Sequence, residues 1–268
     1  MKLGVIGVGN MGSAIIKGYI ASGANPRDIM LCGHHKDVLK KFKAEYGTLT
    51  AQDSMILAEA CDVIIIAVKP KDAGDVMAEI APIVSDGKKL VISVVAGITI
   101  KRLSEALGDG AYGSSLIVRA MPNMPAAVGE GMTAISRGEG VSDEHMKIAL
   151  EIFGAAGRAS EIPETLMDAV TGLSGSGPAF AYIFMEALAD GAVMSGMPRA
   201  KAVEFAAQTV LGAARMVLES GKSPGELKDE VCSPAGTTIT GVRALEDRAF
   251  RSAAMEAVIA ASEKSAGM

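Results

Sequence analysis

The chain has 268 residues, of which 49% are hydrophobic, and a net charge of −5. This length suits one large domain or two modest ones. The acidic balance argues against a nucleic-acid-binding protein, which would need a basic face. Apolar runs such as Val63–Val68 are far too short to span a membrane, so we expect no membrane partner.

The three cysteines, Cys32, Cys61 and Cys232, are scattered and form no C-x-x-C pair. This spacing argues against disulfides and against a zinc site, and we expect no metal. The first strand is predicted to begin at residue 2 or 3, so we also expect no signal or transit peptide. These features together favour a cytoplasmic location.

The start of the chain is its most informative part. Leu3–Ile6 reads as a buried strand, a G-x-G-x-x-G spacing follows it, and a helix is predicted from Met11 to about Ser22. This order is typical of a dinucleotide-binding turn, in which the helix N-terminus faces the pyrophosphate. The alternative is a glycine turn that binds nothing. The cofactor-binding candidates here are Gly7, Gly9, Asn10, Met11 and Gly12.

Strands and helices alternate over the following residues, which predicts a doubly wound, mostly parallel sheet of the Rossmann type. A helix is predicted over Lys36–Tyr46, closed by Gly47, and another helix begins after the cap Ser142. Met132–Ser136 reads as an antiparallel edge strand. The other predicted strands are Ile29–Cys32, Asp62–Val68, Lys89–Val94 and Leu116–Met121.

After Pro163 the pattern contains helices only. We therefore predict a dinucleotide-binding domain over 1–162 and an all-helical second domain over 163–268. Proline in the first turn opens several of the helices. They are predicted over Glu164–Gly172, Pro178–Ser195, Pro198–Ser220, Pro224–Val231, Thr238–Glu246 and Arg251–Lys264.

The segment after the second strand indicates which dinucleotide is bound. NAD sites usually place a carboxylate there for the ribose hydroxyls, and NADP sites a basic group. Here His34, His35 and Lys36 follow the strand, and the first carboxylate is Asp37. The basic residues favour NADPH, with NADH possible. The alternative is a solvated loop whose charges touch nothing.

Turns at the carboxyl ends of later strands are expected to border the nicotinamide half, because ligands of such sheets lie at that edge. Val68, Lys69 and Pro70 end one strand and Ala96 follows the next. Asn123 follows a further strand and is a candidate wall of the site, although a simple Pro-Asn turn explains it equally well.

Two small-residue motifs stand in the helical part. Gly172–Ala179 opens a long helix and is either a linker or a close approach to a ligand. Cys232–Thr238 opens another helix, where free N–H groups and hydroxyls form a receptor for a small carboxylate. The alternative is that Ser233 or Thr237 is only an N-cap.

The residues that are absent restrict the chemistry. The three histidines are His34, His35 and His145, and no lysine lies between Lys147 and Lys201. A 3-hydroxyacid dehydrogenase, whose N-terminus is similar, uses a lysine in the helix after its second-domain glycines. The predicted site in the helical part thus lacks a strong general acid or base for alcohol oxidation. A protonated imine, which is already electrophilic, suits it better.

The motifs together resemble the pyrroline-5-carboxylate reductase family over nearly the whole length. The residues that carry the resemblance are Gly7–Gly12, Ala67–Pro70, Val95–Ile98, Leu173–Ala179 and Ser233–Thr238, the last continued by Gly241, Leu245 and Glu246. One departure is Ala235, where many members have glycine.

The resemblance implies an oxidoreductase that reduces 1-pyrroline-5-carboxylate to L-proline with NAD(P)H, the last step of proline biosynthesis. It implies a homodimer interlocked through the helical domain, assembled in some members into a decamer of five dimers. Thr238 is then the catalytic residue, its hydroxyl on the ring nitrogen. The substrate-binding residues are Val231, Ser233, Gly236, Thr237 and Thr238. A non-enzymatic NADPH-sensing protein would have no reason for this second motif.

Overall fold

The computed structural model describes residues 1–108 and 116–267. They form two compact units, one of residues 1–175 together with the C-terminal residues from Ala261 onward, the other Ser176–Ala260. Within these described ranges, no helix is both long and apolar enough to cross a membrane.

The first unit is built on one eight-stranded sheet of order β3-β2-β1-β4-β5-β6-β7-β8. All neighbouring strands are parallel except β6 and β7. The strand order changes direction between β1 and β4. Doubly wound sheets bind their ligands in the crevice at this point. The strands are β1 (Leu3–Ile6), β2 (Ile29–Cys32), β3 (Leu49–Thr50), β4 (Val63–Ile66), β5 (Leu90–Ser93), β6 (Leu116–Met121), β7 (Gly131–Arg137) and β8 (Gly157–Glu161).

Helices cover both faces of this sheet. Along β4, Val63 and Ile65 belong to one buried apolar cluster, whereas Ile64 and Ile66 belong to the other. A strand buried on both faces reads as a continuous apolar run, which is how the sequence revealed β4. The helices are α1 (Asn10–Ala21), α2 (Lys36–Tyr46), α3 (Ser54–Ala60), α4 (Pro70–Val84), α5 (Ile100–Ala106), α6 (Asp143–Gly154) and α7 (Met167–Val170).

The doubly wound fold is confirmed, but the prediction that Met132–Ser136 forms a sheet edge is wrong. This segment lies in β7 and pairs antiparallel with β6, as expected, yet β8 pairs with its other side. The sequence of β8 is Gly-Arg-Ala-Ser-Glu, and all five residues are at least partly exposed. An edge strand without buried apolar residues gives no apolar pattern, which is why the sequence did not reveal it.

The segment predicted as one helix over Glu164–Gly172 is helical but irregular. A 3-10 turn (Glu164–Leu166) leads into α7, and a π-helical turn (Thr171–Gly175) follows it. Such π turns occur frequently at functional sites.

The second unit consists of helices, as predicted. Its buried apolar cluster contains only Ala189, Ala202 and Ala206, where α8 packs on α9. The compact units divide between Gly175 and Ser176. A compact unit and a functional domain need not coincide, so the boundary at Pro163 stays a prediction. The helices are α8 (Gly177–Met194), α9 (Arg199–Ser220), α10 (Pro224–Val231), α11 (Thr237–Glu246) and α12 (Phe250–Ala266), which ends in the first unit.

The pairing of β7 with β8 depends on a glycine, which gives a first prediction. Gly157 has φ +143°, and a Cβ there would lie 2.1 Å from the carbonyl oxygen of Gly131. We expect Gly157→Ala to cost about 3 kcal/mol or more, because backbone strain and a steric clash add. The thermal midpoint should fall by roughly 6 °C or more.

The matched control for this prediction is Gly154→Ala in the last turn of α6. A Cβ at Gly154 meets nothing within 4 Å. Alanine favours the helix there, so the midpoint should stay or rise. Equal midpoints for the two variants would contradict the strained pairing.

Candidate functional site

Two glycines where β1 leads into α1 lie too close to neighbouring backbone to carry a side chain. Gly7 has φ +96°, and a Cβ there would lie 2.6 Å from the carbonyl oxygen of Ala67. A Cβ at Gly12 would lie 2.3 Å from the carbonyl oxygen of Gly7. Any larger residue at either position would push α1 away from the sheet, so the close packing of α1 requires glycine at both.

The N-terminus of α1 is open to a ligand. Its N-cap is Gly9, which has no side chain to bond the first-turn amides, and the first turn carries no acidic residue. The helical bonds begin at Ser13, whose N–H donates to the carbonyl of Gly9 at 2.9 Å. A Cβ at Gly9 would meet nothing within 4 Å. Free donors, a partial positive charge and open space together form an anion receptor.

A cavity of about 430 Å³ extends from this turn along the carboxyl ends of β1, β2 and β4. It lies at the topological switch point of the sheet, where dinucleotides bind. Seven of the residues predicted to bind the cofactor line it, and they come from three separate turns: Gly7, Gly9, His34, His35, Lys36, Val68 and Lys69.

The remaining cofactor candidates do not line this cavity. Asn10 and Met11 face a smaller one of about 270 Å³, together with Met124. Gly12 is buried within α1. Pro70 is the first residue of α4, after the N-cap Lys69. Ala96 follows the end of β5.

Asn123 links two parts of the first unit. Its amide nitrogen donates to the carbonyl oxygen of Ser174 at 3.1 Å and to the Ser174 hydroxyl at 3.3 Å. Its amide oxygen accepts from the N–H of Met132 at 2.9 Å. The side chain therefore holds the π-helical turn beside the end of β6, which a simple Pro-Asn turn would not do.

A second link, which the sequence did not indicate, joins β6 to the 3-10 turn at Glu164. The guanidinium of Arg119, on β6 and almost fully buried, donates to Glu164 at 3.1 Å. The same carboxylate oxygen accepts from the N–H of Ile100, the first residue of α5, at 2.7 Å. An unpaired buried charge would be costly, so this pair anchors the 3-10 turn that precedes α7.

Part of the cavity wall was not predicted from the sequence. The start of α3 contributes Gln52, Asp53 and Ser54, and α4 contributes residues from Lys71 to Glu79. The available signal was the cap Asp53, whose carboxylate accepts from the N–H of Ile56 at 2.8 Å. The two helices were not predicted, so their first turns were not placed at the same sheet edge.

Charged groups along this wall affect the pKa of the Cys32 thiol. Burial raises its pKa above the ordinary thiol value. The positive charge of Lys36 and a hydrogen bond to Ser54 oppose that shift, whereas the negative charge of Asp53 adds to it. Lys36 and Asp53 thus have opposite effects on the pKa of Cys32 at the end of β2.

The second unit contains the loop predicted to bind substrate. It connects α10 to α11, and the N-cap of α11 is Gly236, which makes no side-chain cap bond. A Cβ at Gly236 would lie 2.3 Å from the hydroxyl oxygen of Ser233. Glycine is thus required for the Ser233 hydroxyl to lie at the helix start.

The hydroxyls of this loop differ in their partners. That of Thr240 donates to the Gly236 carbonyl at 3.1 Å. Within the described chain, those of Thr237 and Thr238 make no hydrogen bond, so both are available to a ligand. Ala235 has φ +57°, a conformation that favours glycine, so the departure from the family pattern carries some backbone strain.

Family models match both parts of the chain. A model described as pyrroline-5-carboxylate reductase dimerisation matches residues 164–268. A model described as NADP oxidoreductase, coenzyme F420-dependent, matches residues 2–97.

Relatives of known name match over the full length. The pyrroline-5-carboxylate reductase of Methanosarcina acetivorans is 47% identical over 98% of this chain and 96% of its own. A solved reductase from Coxiella burnetii has a TM-score of 0.93 at 37% identity, with 98% of this chain and 97% of that one covered. The Plasmodium falciparum enzyme, solved with NADP bound, has a TM-score of 0.86 at 35% identity, covering 100% and 97%. Identity at this level across the whole length places the chain in the pyrroline-5-carboxylate reductase family.

Proposed function

We propose that this protein is an NADPH-dependent oxidoreductase that reduces the cyclic imine 1-pyrroline-5-carboxylate to L-proline, the last step of proline biosynthesis. The observation that carries the proposal is the uncapped N-terminus of α11 with the Ser233 hydroxyl beside it. It is a receptor for a small carboxylate, and the same chain has a dinucleotide turn. The names of its full-length relatives support the same reaction.

The first unit fits a dinucleotide because its turn leaves space where a Cβ would stand at Gly9. The free amides of α1, from Asn10 to Gly12, hold the pyrophosphate. His34, His35 and Lys36 receive the 2′-phosphate at the end of β2. When bound, NADPH supplies the hydride that is added to C5 of the imine. The residues that border the nicotinamide half are Val68, Lys69, Pro70, Ala96 and Asn123.

The second unit holds the substrate. The Ser233 hydroxyl and the backbone of Gly236 and Thr237 bind its carboxylate, with Val231 bordering the loop. The Thr238 hydroxyl forms a hydrogen bond with the ring nitrogen and fixes the ring. The three histidines all lie in the first unit. The imine reaches the site already protonated, so reduction needs orientation more than acid–base catalysis.

The chain forms homo-oligomers through the region that the dimerisation model matches. We infer a homodimer as the basic unit, with a decamer of five dimers as a further assembly. We also infer that residues 163–268 form the dimerisation and substrate-binding domain. The free thiols of Cys32, Cys61 and Cys232 support a reducing compartment, the cytoplasm.

The reaction and the role of Thr238 are tested together. The purified protein should oxidise NADPH only when the cyclic imine is present and should form an equal amount of proline. Thr238→Ala should lower kcat/KM, because one hydrogen bond to the imine is lost. The corresponding loss of transition-state stabilisation should be about 1–3 kcal/mol. NADPH affinity should not change.

Thr238→Ser is the matched control, because it keeps the hydroxyl and should keep most of the activity. Full activity of Thr238→Ala, or a selective loss of NADPH affinity, would contradict the role of Thr238. A protein that binds NADPH but leaves the imine unreduced would overturn the proposed reaction and favour a sensing role.

The cofactor preference is tested at Lys36, which lines the cavity. The unmodified protein should have a higher kcat/KM with NADPH than with NADH. Lys36→Glu should lower the ratio of the two values by about tenfold or more, because an attraction to the phosphate becomes a repulsion. Lys40→Glu is the control: it makes the same charge change on α2 at an exposed residue that is not part of the cavity lining, and it should have little effect. A preference for NADH, or equal ratios in the two variants, would refute the assignment.

A further inference from the structure

Two loops leave the sheet side by side at the end of β2. In the parallel register, Leu31 of β2 pairs with Thr50 of β3. The N–H of Ala51 donates to the carbonyl of Leu31 at 3.0 Å and continues that pairing. Three residues beyond the paired positions stand His34 in one loop and Asp53 in the other. Both side chains line the same cavity.

Lys36, which follows β2, and Asp53, which follows β3, line the same cavity. The charges of these two residues have opposite effects on the pKa of the neighbouring Cys32 thiol, which Lys36 lowers and Asp53 raises. A cation at the start of α2 and a carboxylate just before α3 therefore face the same cavity. Sequence spacing does not show this, because the carboxylate comes from a later element.

The carboxylate of Asp53 can accept a further hydrogen bond besides the one that caps α3. One oxygen accepts from the N–H of Ile56 at 2.8 Å and caps α3, which leaves the second oxygen available. The residue is exposed at the cavity wall. A carboxylate near the adenosine ribose accepts from its hydroxyls, and it repels a phosphate on the same ribose.

We propose that Asp53 is a specificity-determining residue of the cofactor site, which opposes Lys36 and moderates the preference for a 2′-phosphorylated nucleotide. The inference rests on the proposed function, because it assumes that the cavity holds the adenosine half of NADPH. Asp53 favours the free 2′-hydroxyl of NADH, and Lys36 favours the phosphate. The balance between the two determines how far the enzyme accepts both cofactors.

The variant that tests this is Asp53→Asn. Asparagine is as good an N-cap as aspartate, so α3 keeps its cap while the negative charge is removed. Asp37→Asn is the matched control, because Asp37 is an exposed carboxylate next to Lys36 in sequence but is not part of the cavity lining. If Asp53→Asn does not fold, Asp53→Ser, which also caps a helix, replaces it.

The readout is binding, measured by calorimetry, of adenosine 2′,5′-bisphosphate and of adenosine 5′-monophosphate. We expect Asp53→Asn to raise the affinity ratio of the bisphosphate to the monophosphate by about three- to tenfold at low salt, and by less at high salt. The ratio of kcat/KM values for NADPH and NADH should rise in parallel. Asp37→Asn should change neither ratio.

Each outcome separates the two proposals. If the native protein binds the nucleotides but Asp53→Asn shifts the ratio no more than Asp37→Asn, the role of Asp53 is refuted and the proposed function stands. If the native protein binds neither nucleotide, the proposed cofactor site is refuted, and the role of Asp53 with it.

Discussion

The second unit cannot cover its own apolar surface, and the organisation of the protein depends on this. Its buried apolar cluster contains three alanines. Large apolar side chains of the same unit are exposed, among them Ile183 at 67%, Phe205 at 58% and Met194 at 90%. Monomeric proteins rarely leave extended apolar surface open to water. Burial against another copy is the economical solution, since each Å² removed from water contributes about 25 cal/mol. The match to a dimerisation model over this region agrees with that physical requirement.

Both proposed binding sites use the same physical device, a helix N-terminus capped by glycine. Neither Gly9 before α1 nor Gly236 before α11 provides a side-chain cap. By contrast, Ser142 and Ser223 close α6 and α10 with full capping boxes. A side-chain cap would occupy the amides that an anion needs. The missing side-chain caps at Gly9 and Gly236 therefore leave the first-turn amides of α1 and α11 free for a ligand.

Most of the fold was predictable because its core strands are buried on both faces. The apolar run of β4 and the glycine turn after β1 each have one structural explanation, and Lys36–Tyr46 forms a helix over the predicted residues. β8 was not predictable, because none of its five residues is buried and they give no apolar pattern. The place of Asp53 in the cavity depends on the register between β2 and the two-residue strand β3. That short strand gives no pattern of its own, so a contact set by register could not be read from spacing.

The mass of the protein in solution tests most directly whether another copy of the chain covers the second unit. Sedimentation equilibrium should give at least twice the 27.4 kDa of one chain. Dilution to the point of dissociation should reduce the helical circular dichroism, because an uncovered second unit loses the burial that stabilises it. A particle of 27.4 kDa that retains the full helical signal and full activity would contradict the account.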